Sequence, residues 1–436
     1  MKKLKKVAIH NLGCKVNSYE AAAMQESIEQ AGYEIVPFVT VADVYIVNTC
    51  TVTNIASRKS RQMLHKARKM NSEAIIVAAG CYVHTAEQEN TIADVVDVMI
   101  GNNKKQDLPA ILRAMEKRDK TDCVYKAVVD INTTQEYEPL KISKPRAHTR
   151  VNIKIQDGCN QFCSYCIIPM VRGRVRSRAL SEVVSEVKEL AASGCREVVL
   201  TGIHLSSYGT DFDDASHLLA LIQAIHRVEG ICRIRVGSLE PGIITKSFVE
   251  GLTKLEKFCP HFHLSLQSGC DETLKRMNRH YTTKTYWKKC QLLRRYFEHP
   301  AITTDIIVGF PGETEEEFRQ TKAFIDEIDF YKTHIFKYSR RVGTKAATMP
   351  NQVPSRTSGK RSKELIQLGE IKQKAFETYY IGKEVAVLVE DKMDATKGVY
   401  QVGYTKEYVK IRIDAKKNLH NQVVSVHIQE ESQIVH

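Results

Sequence analysis

Three cysteines lie close together near the middle of the chain, at Cys159, Cys163 and Cys166. The spacing Cys-x3-Cys-x2-Cys can bring three thiolates around three irons of a cubane cluster, which leaves the fourth iron without a protein ligand. Such an iron can bind a substrate or cofactor. The alternative is a structural zinc loop, but zinc sites usually close with a fourth Cys or His, and none closely follows Cys166. The spacing therefore favours an iron–sulfur cluster.

The same loop, with Tyr165 before its last cysteine, resembles the signature of the radical S-adenosylmethionine superfamily. The resemblance implies that Cys159, Cys163 and Cys166 hold a [4Fe–4S] cluster. The open iron would bind the amino and carboxylate groups of S-adenosylmethionine. An electron from the cluster would then cleave that molecule to a 5′-deoxyadenosyl radical.

A second set of cysteines, Cys14, Cys50 and Cys81, is spread over the N-terminal part of the chain. Each follows a strand pattern, at Lys6–His10, Val44–Asn48 or Ala74–Ala79. The carboxyl ends of strands in an open α/β sheet form one ligand crevice, so we expect the three thiols to converge there. A cysteine after a strand is more often a small buried hydrophobe than a ligand. The residues by themselves leave both interpretations open.

The segments around these cysteines resemble the N-terminal domain of methylthiotransferases, in a likeness that extends over nearly the whole chain. The motifs are Leu-Gly-Cys-Lys-Val-Asn at 12–17, Asn-Thr-Cys-Thr-Val-Thr at 48–53 and Gly-Cys at 80–81. The resemblance implies that Cys14, Cys50 and Cys81 hold an auxiliary [4Fe–4S] cluster with an open iron. Lys15-Val16-Asn17 is similar to the branch that modifies threonylcarbamoyladenosine in tRNA. The isopentenyladenosine branch has Gln-Met-Asn there, and the ribosomal-protein branch Pro-Lys-Asn.

The resemblance also implies a reaction and its partners. One S-adenosylmethionine would methylate a sulfur on the auxiliary cluster, and a second would supply the radical at carbon 2 of adenine. The implied partners are tRNA, an external electron donor and a sulfur source, and we expect a monomer. The alternatives are methylthiolation of isopentenyladenosine or of a ribosomal protein and, from another class, a redox-sensing RNA-binding protein without catalysis.

Further candidate cofactor contacts lie at the ends of later strand patterns. By resemblance, Thr201-Gly202 takes the place of an element that touches the methionyl amine, and Gly309 belongs to one that packs on adenine. Gly, Ser and Thr are equally expected at such positions without a ligand, because they are common in turns and as helix N-caps. The alternating arginines past the cysteine loop offer forks for carboxylate or phosphate. The candidates for S-adenosylmethionine binding are Tyr165, Thr201, Gly202, Glu240, Ser265, Gln267, Gly309, Arg174 and Arg176.

Length and composition bound the class of protein. The chain has 436 residues, enough for two or three domains, and its formal net charge of +13 indicates a polyanionic partner. No apolar run approaches about 18 residues, and the basic N-terminus leads into too short an apolar segment for a signal peptide. We therefore expect a cytoplasmic protein without a membrane anchor.

The element pattern predicts an α/β protein in three parts joined by a linker. Residues 1–115 form an open parallel α/β sheet domain, and residues 116–144 a linker. Residues 145–376 form a partial (β/α)6 barrel, with chemistry at the carboxyl ends of its strands. Residues 377–436 form a small β-barrel that resembles the TRAM domain. The six barrel strands are predicted at Val151–Ile155, Glu197–Thr201, Arg233–Gly237, Phe262–Leu266, Thr304–Val308 and Thr333–Lys337.

Two segments concentrate basic charge. Residues 57–69 hold six basic residues and no acidic one, which fits either a solvated helix face or a phosphate-binding helix. Residues 337–374 hold ten basic and two acidic residues, a formal charge of +8. A loop at Asn351–Gly359 is predicted within the second segment, before a long helix. We expect this segment to contact an RNA backbone.

Overall fold

We describe the chain from a computed structural model. It covers residues 5–89, 92–117, 124–144, 149–214, 217–395, 398–415 and 417–435. The strands are β1 (Lys6–Asn11), β2 (Glu34–Val36), β3 (Val44–Thr49), β4 (Ile75–Gly80), β5 (Val98–Ile100), β6 (Tyr125–Ala127), β7 (Arg150–Lys154), β8 (Gln156–Asp157), β9 (Arg176–Ser177), β10 (Glu197–Thr201), β11 (Arg233–Val236), β12 (Ser238–Leu239), β13 (His261–Leu264), β14 (Ala301–Val308), β15 (Lys332–Lys337), β16 (Glu384–Ala395), β17 (Gly398–Tyr404), β18 (Lys410–Ile413) and β19 (Val423–His427). The helices are α1 (Lys15–Gln30), α2 (Asn54–Met70), α3 (Cys81–Glu89), α4 (Leu108–Met115), α5 (Ile168–Arg172), α6 (Leu180–Ala192), α7 (Leu218–His226), α8 (Lys246–Thr253), α9 (Asp271–Arg276), α10 (Thr283–Tyr296), α11 (Glu315–Ile328) and α12 (Ser355–Thr378).

The N-terminal part is a parallel six-stranded sheet in the order β2-β1-β3-β4-β5-β6. All six residues of β3 are buried, because helices cover both faces of a parallel sheet. The three strands predicted here are confirmed, whereas the short strands β2 and β5 were not predicted. Strand β6 lies within the span predicted as a linker and pairs with β5.

The sequence predicts a helix that starts after Ser18, because serine is a favoured N-cap residue, but helix α1 begins one turn earlier. Ser18, the predicted N-cap, lies inside the helix, and its hydroxyl donates to the carbonyl of Cys14 at 3.3 Å. The N-cap residue is Cys14 itself, in an extended conformation. The prediction was wrong because a serine inside a helix can bond back to the preceding turn. As a result, Lys15 occupies the first helical position.

The central part is a partial barrel made of two parallel sheets, β11-β10-β7 and β12-β13-β14-β15. Only Gly237 separates β11 from β12, so the third strand of the barrel runs from one sheet into the other. The six predicted strands are confirmed to within three residues at each end. Their outward side chains, among them Ile153, Leu200 and Leu264, form the main core with the helices.

The C-terminal part is a four-stranded antiparallel sheet in the order β18-β17-β16-β19. It packs against the N-terminal ends of the barrel strands. Arg233 at the start of β11 donates to the carbonyls of Tyr404 and Ala386, and Ala301 at the start of β14 shares a core with Val387. The sheet therefore lies at the end of the barrel opposite the cysteine loop. Within the described residues, no helix is long and apolar enough to span a bilayer.

Part of the basic segment 337–374 is neutralised by acidic residues from elsewhere. Arg361 is buried and pairs with Glu313 at 2.6 Å, and Lys372 pairs with Asp326 at 2.7 Å. Helix α12 already begins at Ser355, so the predicted loop 351–359 is wrong in its second half. The sequence pattern did not reveal the two ion pairs, because their acidic partners lie on other elements.

Candidate active site at two sets of three cysteines

The loop that carries Cys159, Cys163 and Cys166 begins at the carboxyl end of the first barrel strand. Its start is held by the short antiparallel pair β8–β9 and by the Cys159 amide, which donates to the Gly173 carbonyl at 3.0 Å. Gly158 has a positive φ of 71°, and a Cβ there would lie 1.7 Å from the Arg174 carbonyl oxygen. Only glycine fits at this position, because the obstruction is backbone.

The thiols of this loop are enclosed by protein. Burial raises the pKa of Cys159 to about 11, and burial together with the neighbouring Cys163 raises the pKa of Cys166 to about 12. Without a metal these two thiols are protonated at neutral pH. A bound metal would supply the positive charge that the thiolates need.

Arg279 organises the surroundings of this loop, and sequence reasoning missed it. Its guanidinium donates to the Cys163 sulfur at 3.0 Å, pairs with Glu240 at 2.6 Å and donates to the Tyr281 hydroxyl at 3.0 Å. The Tyr281 hydroxyl donates in turn to the Ser265 carbonyl at 2.7 Å. The predicted residues Glu240 and Ser265 are thus linked to the loop through Arg279. No spacing in the sequence indicates this, because the contacts join separate barrel segments.

The second set of cysteines converges at the carboxyl edge of the N-terminal sheet, as expected. A Cβ on Gly13 would lie 3.2 Å from the Cys50 sulfur, so Cys50 approaches the backbone beside Cys14. Burial, together with the nearby thiols of Cys81 and Cys14, raises the pKa of Cys50 to about 11. The Asn102 side chain donates to the Cys81 sulfur at 3.6 Å.

Arg172 connects the two sets of cysteines. This buried guanidinium donates to the Cys81 sulfur at 3.2 Å and, on the other side, to the Asp157 carboxylate at 3.1 Å, two residues before Cys159. It also donates to Asn17 at 2.7 Å and to Glu20 at 2.9 Å. Arg174 and Arg176, from the same stretch, are the arginines that the sequence favours as ligand-binding residues. Only the packing of α5 against α3 shows that Arg172 reaches the N-terminal thiols.

Lysines complete this buried ionic network. Lys105 pairs with Glu20 at 2.5 Å, and Lys154 pairs with Glu20 at 2.8 Å and with Asp157 at 2.6 Å. Burial raises the pKa of both carboxylates, but Arg172 and Lys154 outweigh it and hold both below their ordinary values. Arg176 lies 4.0 Å from Asp157, so four cations surround these two anions, and one of the four, Arg172, also contacts Cys81.

The separation of the sulfur atoms bears on which metal centre the thiols could hold. Within the described residues, no three cysteine sulfurs lie within 4.8 Å of one another. A tetrahedral zinc site with bonds of about 2.3 Å would require sulfurs about 3.8 Å apart. A cubane spreads its ligands more widely, because each thiolate binds a different iron. Both sets of cysteines fit a cluster better than a single ion.

Thr201, Gly202 and Tyr165 lie around the same loop. A Cβ on Gly202 would lie 2.9 Å from the Gln156 side-chain oxygen, which accepts a hydrogen bond from the His204 amide at 2.7 Å. The side-chain amide nitrogen of Gln156 donates to the Gly158 carbonyl at 2.7 Å. Gln156, which was not predicted, thus ties the Thr201–Gly202 turn to the start of the cysteine loop. Tyr165 packs edge-on against Phe310, with ring centroids 6.4 Å apart.

Gln267 and Gly309 both have left-handed backbone conformations, with φ of 71° and 73°. The Gln267 amide donates to the Asp305 carbonyl, which extends the pairing of β13 with β14. A Cβ on Gly309 would lie 2.0 Å from the Ser358 hydroxyl, so glycine lets α12 pack closely here. These contacts give Gly309 a packing role next to its predicted role at adenine.

The two predicted arginines differ in their surroundings. Arg174 lies over the Phe162 ring, 4.5 Å from its centroid, at the rim of the loop. Arg176 is fully buried and donates to the carbonyls of Arg172 at 2.9 Å and Arg174 at 3.1 Å. Arg176 therefore stabilises the turn after the loop, while Arg174 lies where a ligand could reach it.

Two neighbouring cavities open beside the cysteines. One, of about 240 Å³, is lined by residues that include Cys163, Cys166, Arg174 and Lys345. The other, of about 270 Å³, is lined by Arg61, Tyr82 and Arg341 among others. Met170 and Gly343 line both cavities. The space next to the two sets of cysteines is therefore basic and partly aromatic.

The remaining described cysteines have no ligand spacing in the sequence, which predicts core packing for them. Cys195, Cys259, Cys270 and Cys290 are buried, and Cys232 is partly buried. Cys123, which has no partner spacing either, lies outside the described residues.

Comparison with known proteins supplies two family models. The model described as "Radical SAM superfamily" matches residues 153–325, and "Uncharacterized protein family UPF0004" matches residues 6–101. The first match begins in β7 and contains the Cys159–Cys166 loop. The second contains Cys14, Cys50 and Cys81.

Whole-length relatives are similar in sequence. The chain is 38% identical over 423 residues to the threonylcarbamoyladenosine tRNA methylthiotransferase MtaB of Bacillus subtilis (strain 168), covering 97% of this chain and 93% of the relative. It is 39% identical to the protein of that name from Aquifex aeolicus (strain VF5), covering 88% and 92%. It is 35% identical to the tRNA-2-methylthio-N(6)-dimethylallyladenosine synthase of Moorella thermoacetica (strain ATCC 39073 / JCM 9320), covering 89% and 88%.

Solved structures share the fold at low sequence identity. The radical S-adenosylmethionine methyltransferase TsrM of Kitasatospora setae, with cobalamin and a [4Fe–4S] cluster bound, superposes with a TM-score of 0.59 at 18% identity, covering 79% of this chain and 77% of that one. The cobalamin-dependent enzyme OxsB superposes with a TM-score of 0.51 at 11% identity, covering 84% and 56%. These likenesses concern the fold alone.

Proposed function

Because this chain belongs to the radical S-adenosylmethionine methylthiotransferases, we propose that it methylthiolates carbon 2 of N6-threonylcarbamoyladenosine in tRNA. The target is the base 3′ of the anticodon in tRNAs that read codons starting with A. The observation that carries the proposal is the bridge made by Arg172, which joins Cys81 to the base of the Cys159–Cys166 loop. Two thiol sites held this close together can act on one base. The relatives named for this reaction match nearly the whole chain.

The cofactors of the proposed reaction are two [4Fe–4S] clusters and two molecules of S-adenosylmethionine per turnover. Cys159, Cys163 and Cys166 would hold one cluster, and Cys14, Cys50 and Cys81 the other. When bound, these groups supply the one-electron chemistry that cleavage of an aromatic C–H bond requires. The donor sets fit, since each offers three thiols, and among the described residues neither set belongs to a closed four-ligand metal site.

The chain's own residues would position these groups. Arg279 orients the Cys163 thiol and holds Glu240, while Gln156 fixes the entry to the loop. Buried Arg172 and Lys154 compensate the negative charge of Asp157. The contacts proposed for S-adenosylmethionine are those predicted above, namely Tyr165, Thr201, Gly202, Glu240, Ser265, Gln267, Gly309, Arg174 and Arg176.

A tRNA would approach over basic side chains near the cavities. On α2, Arg58, Lys59, Lys66 and Lys69 are exposed, whereas Arg68 is engaged by Asp97 at 2.7 Å. On α12, Arg356, Lys360 and Lys363 are available, in contrast to buried Arg361. Such cations bind phosphates without reading sequence. We propose that the C-terminal sheet is a TRAM-like RNA-binding domain, although it lies at the far end of the barrel.

The remaining parts of the proposal concern organisation and partners. We place the domain limits at 1–115, 116–144, 145–376 and 377–436, with strand β6 of the second segment added to the N-terminal sheet through its pairing with β5. The enzyme would act as a monomer in the cytoplasm, with an external electron donor and a sulfur source. The dimethylallyladenosine reaction and the ribosomal-protein reaction are the alternatives within the family, and Lys15-Val16-Asn17 favours neither of them.

The test is mass spectrometry of tRNA nucleosides from cells that lack this protein. We expect 2-methylthio-N6-threonylcarbamoyladenosine to disappear and its unthiolated precursor to accumulate. The wild-type chain and a Cys290→Ala variant should restore the product, whereas Cys166→Ala should not. Persistence of the product, together with loss of another methylthio compound, would contradict the proposed substrate.

A further inference from the structure

Two histidines and an aspartate on three neighbouring strands form a group that could hold a metal ion. They are His263 on β13, Asp305 on β14 and His334 on β15. Each offers one ligand atom, and these atoms all lie within 4.8 Å of one another. Among the described residues, no other three His, Cys, Asp or Glu side chains approach so closely. The group therefore differs from both sets of cysteines, whose sulfurs are farther apart.

Strand pairing brings these three side chains to the same face of the barrel. Asp305 is paired with His334, and His263 is paired with Thr303, two residues before the aspartate. Side chains alternate along a strand, and Phe262 next to His263 belongs to the core between the barrel and its helices. The three ligand candidates therefore point to the opposite face, which is the interior of the barrel.

The pair formed by His263 and Asp305 has the spacing of two ligands of one ion. The Nε2 atom of His263 lies 3.4 Å from Oδ2 of Asp305, beyond the roughly 2.7–2.9 Å of a charge-assisted hydrogen bond. Two ligands bound to Zn²⁺ at about 2.0–2.1 Å and at a tetrahedral angle lie about 3.4 Å apart. The His334 ring is exposed, with its centroid 5.8 Å from that of His263, so it can turn toward the same point.

Thr303 holds His263 in this orientation. The buried Thr303 has its hydroxyl oxygen 2.9 Å from Nδ1 of His263. Histidines that ligate metals usually form a hydrogen bond through the ring nitrogen that does not bind the metal. Here that bond leaves Nε2 facing the Asp305 carboxylate. The support that a metal-binding histidine requires is therefore supplied by the neighbouring strand.

The group lies one layer below the surroundings of the Cys159–Cys166 loop. Ser265 follows His263 by two residues, which is about 7 Å along an extended chain. The Ser265 carbonyl accepts a hydrogen bond from Tyr281, whose hydroxyl also contacts Arg279. An ion bound to His263 would therefore lie beneath the contacts of Arg279 and would be separate from both sets of cysteines.

The opposite end of the barrel interior is covered by the C-terminal part of the chain. Tyr408 packs against His261, with ring centroids 5.3 Å apart. Its ring centroid also lies 4.8 Å from the guanidinium of Arg150 and 4.6 Å from that of Arg235. These three partners come from β13, β7 and β11, so the tyrosine covers the amino-terminal end of the ring of strands. The layer that contains His263 thus lies between this cover and the cysteine loop.

Two imidazoles and a carboxylate are a ligand set that favours transition-metal ions. Catalytic zinc sites use three protein ligands of this kind, and non-haem Fe²⁺ sites use two histidines and one carboxylate. Mg²⁺ and Ca²⁺ instead prefer oxygen ligands. Three protein ligands leave coordination positions open, which water or an oxygen atom of a bound molecule fills.

We propose that His263, Asp305 and His334 bind one divalent transition-metal ion, such as Zn²⁺, inside the barrel. The inference does not depend on the substrate of the proposed function, because it rests on the distances and orientations of these side chains. Without an ion, His263 and Asp305 would form only a long ion pair. The two possibilities differ in whether the folded chain binds zinc at these residues.

The experiment uses the full chain with both clusters reconstituted, washed with a chelator and then titrated with Zn²⁺ without oxygen. We expect the wild type to bind about one zinc per chain in addition to the iron of the clusters. Asp305→Asn and His334→Gln should each weaken zinc binding by more than about 100-fold, because loss of a supporting contact alone costs about 10-fold to 100-fold. Thr303→Val removes such a contact and should weaken binding by about 10-fold to 100-fold. Calorimetry measures the affinity, and elemental analysis measures zinc and iron per chain.

The control is His427→Gln, at an exposed position of the C-terminal sheet, which should leave the zinc affinity unchanged. Zinc should also raise the unfolding temperature of the wild type and of this control, because an ion stabilises the fold that binds it. It should not do so for Asp305→Asn or His334→Gln. If Asp305→Asn does not fold, His334→Gln tests the site by itself, since His334 is exposed.

Three outcomes would overturn the inference. The first is a wild type that binds no zinc beyond its clusters. The second is an equal zinc affinity in the wild type and in both ligand variants. The third is an X-ray absorption spectrum with sulfur at about 2.3 Å from the zinc instead of nitrogen and oxygen at about 2.0 Å, which would assign the ion to cysteines.

Discussion

The two sets of cysteines occupy opposite extremes of how a protein can assemble a metal site. Cys159, Cys163 and Cys166 come from one loop, and their approach is set by local backbone such as Gly158. Cys14, Cys50 and Cys81 follow three different strands, and the pairing of β1, β3 and β4 brings them together. The geometry of the first site therefore depends on a local turn, and the geometry of the second depends on the pairing of strands in a sheet. Arg172 couples them, so a reaction that needs both can take place at one position.

The largest effect on iron content and activity is expected when either set of three cysteines is replaced by alanine. Replacement of Cys159, Cys163 and Cys166 by Ala should lower iron from about eight to about four per chain and abolish reductive cleavage of S-adenosylmethionine. Replacement of Cys14, Cys50 and Cys81 should lower iron equally, abolish the methylthio product and leave that cleavage intact. Iron analysis and detection of 5′-deoxyadenosine distinguish the two.

Cys290→Ala is the matched control for these replacements, because Cys290 is buried in the barrel core away from both sets. It should retain about eight irons and full activity. If the chain without Cys14, Cys50 and Cys81 still held about eight irons, the second cluster would be disproved.

An intermediate effect is expected from the arginines that contact the sulfurs. Arg172→Met should cost about 3–5 kcal/mol of stability, because it leaves Glu20 and Asp157 buried with fewer partners. It should also deplete iron mainly at the dispersed site, since Arg172 donates to Cys81. Arg279→Met is the counterpart and should deplete the loop site, through Cys163. Thermal unfolding measures the loss of stability, and the iron content in each Cys-to-Ala background shows which cysteine site has lost iron. Identical iron losses in the Arg172→Met and Arg279→Met variants would contradict the expected difference between the two sites.

Glycine substitutions test the comparison through stability, and their expected effects range down to the smallest. Gly158→Ala should destabilise by more than about 3 kcal/mol, because its Cβ would meet backbone at 1.7 Å and its φ is positive. Gly80→Ala at the dispersed site should cost less, about 2 kcal/mol, because its φ of 93° is also positive but its Cβ would meet a side chain, Asn48, at 2.8 Å and backbone only at 3.2 Å. Gly242→Ala meets nothing within 4 Å and should stay within about 0.5 kcal/mol. The shift in thermal unfolding ranks the three, and a larger loss for Gly80 than for Gly158 would reverse the comparison.

Much of the fold followed from pattern. The structure confirms the six predicted barrel strands. It also confirms the four C-terminal strands that the sequence pattern predicts at 383–389, 399–404, 409–413 and 423–428. Strands β2 and β5, of three residues each, carry too little pattern to be recognised. Ser18 misled the start of α1, because its hydroxyl bonds within the helix. The closed form of the C-terminal barrel is not seen in the described strand pairs, which form an open sheet.

Within the candidate site, the sequence identified the residues that belong to a recognisable motif and did not identify those that belong to none. The six cysteines lie where spacing and resemblance indicated. Arg172, Arg279 and Gln156 were missed or passed over, because each acts through contacts between segments distant in sequence. The basic segment 337–374 was overestimated for the same reason, since Arg361 and Lys372 have partners on other elements.

The sequence by itself determined the local chemistry of this protein. The spacing of Cys159, Cys163 and Cys166 indicates a metal-binding loop because ligands within eight residues depend on short-range geometry. The tertiary structure decided everything that joins separate strands. It placed Cys14, Cys50 and Cys81 beside that loop and buried Arg172 between the two sets of cysteines. The physical reason is that strand pairing and buried ion pairs depend on contacts between residues far apart in the chain.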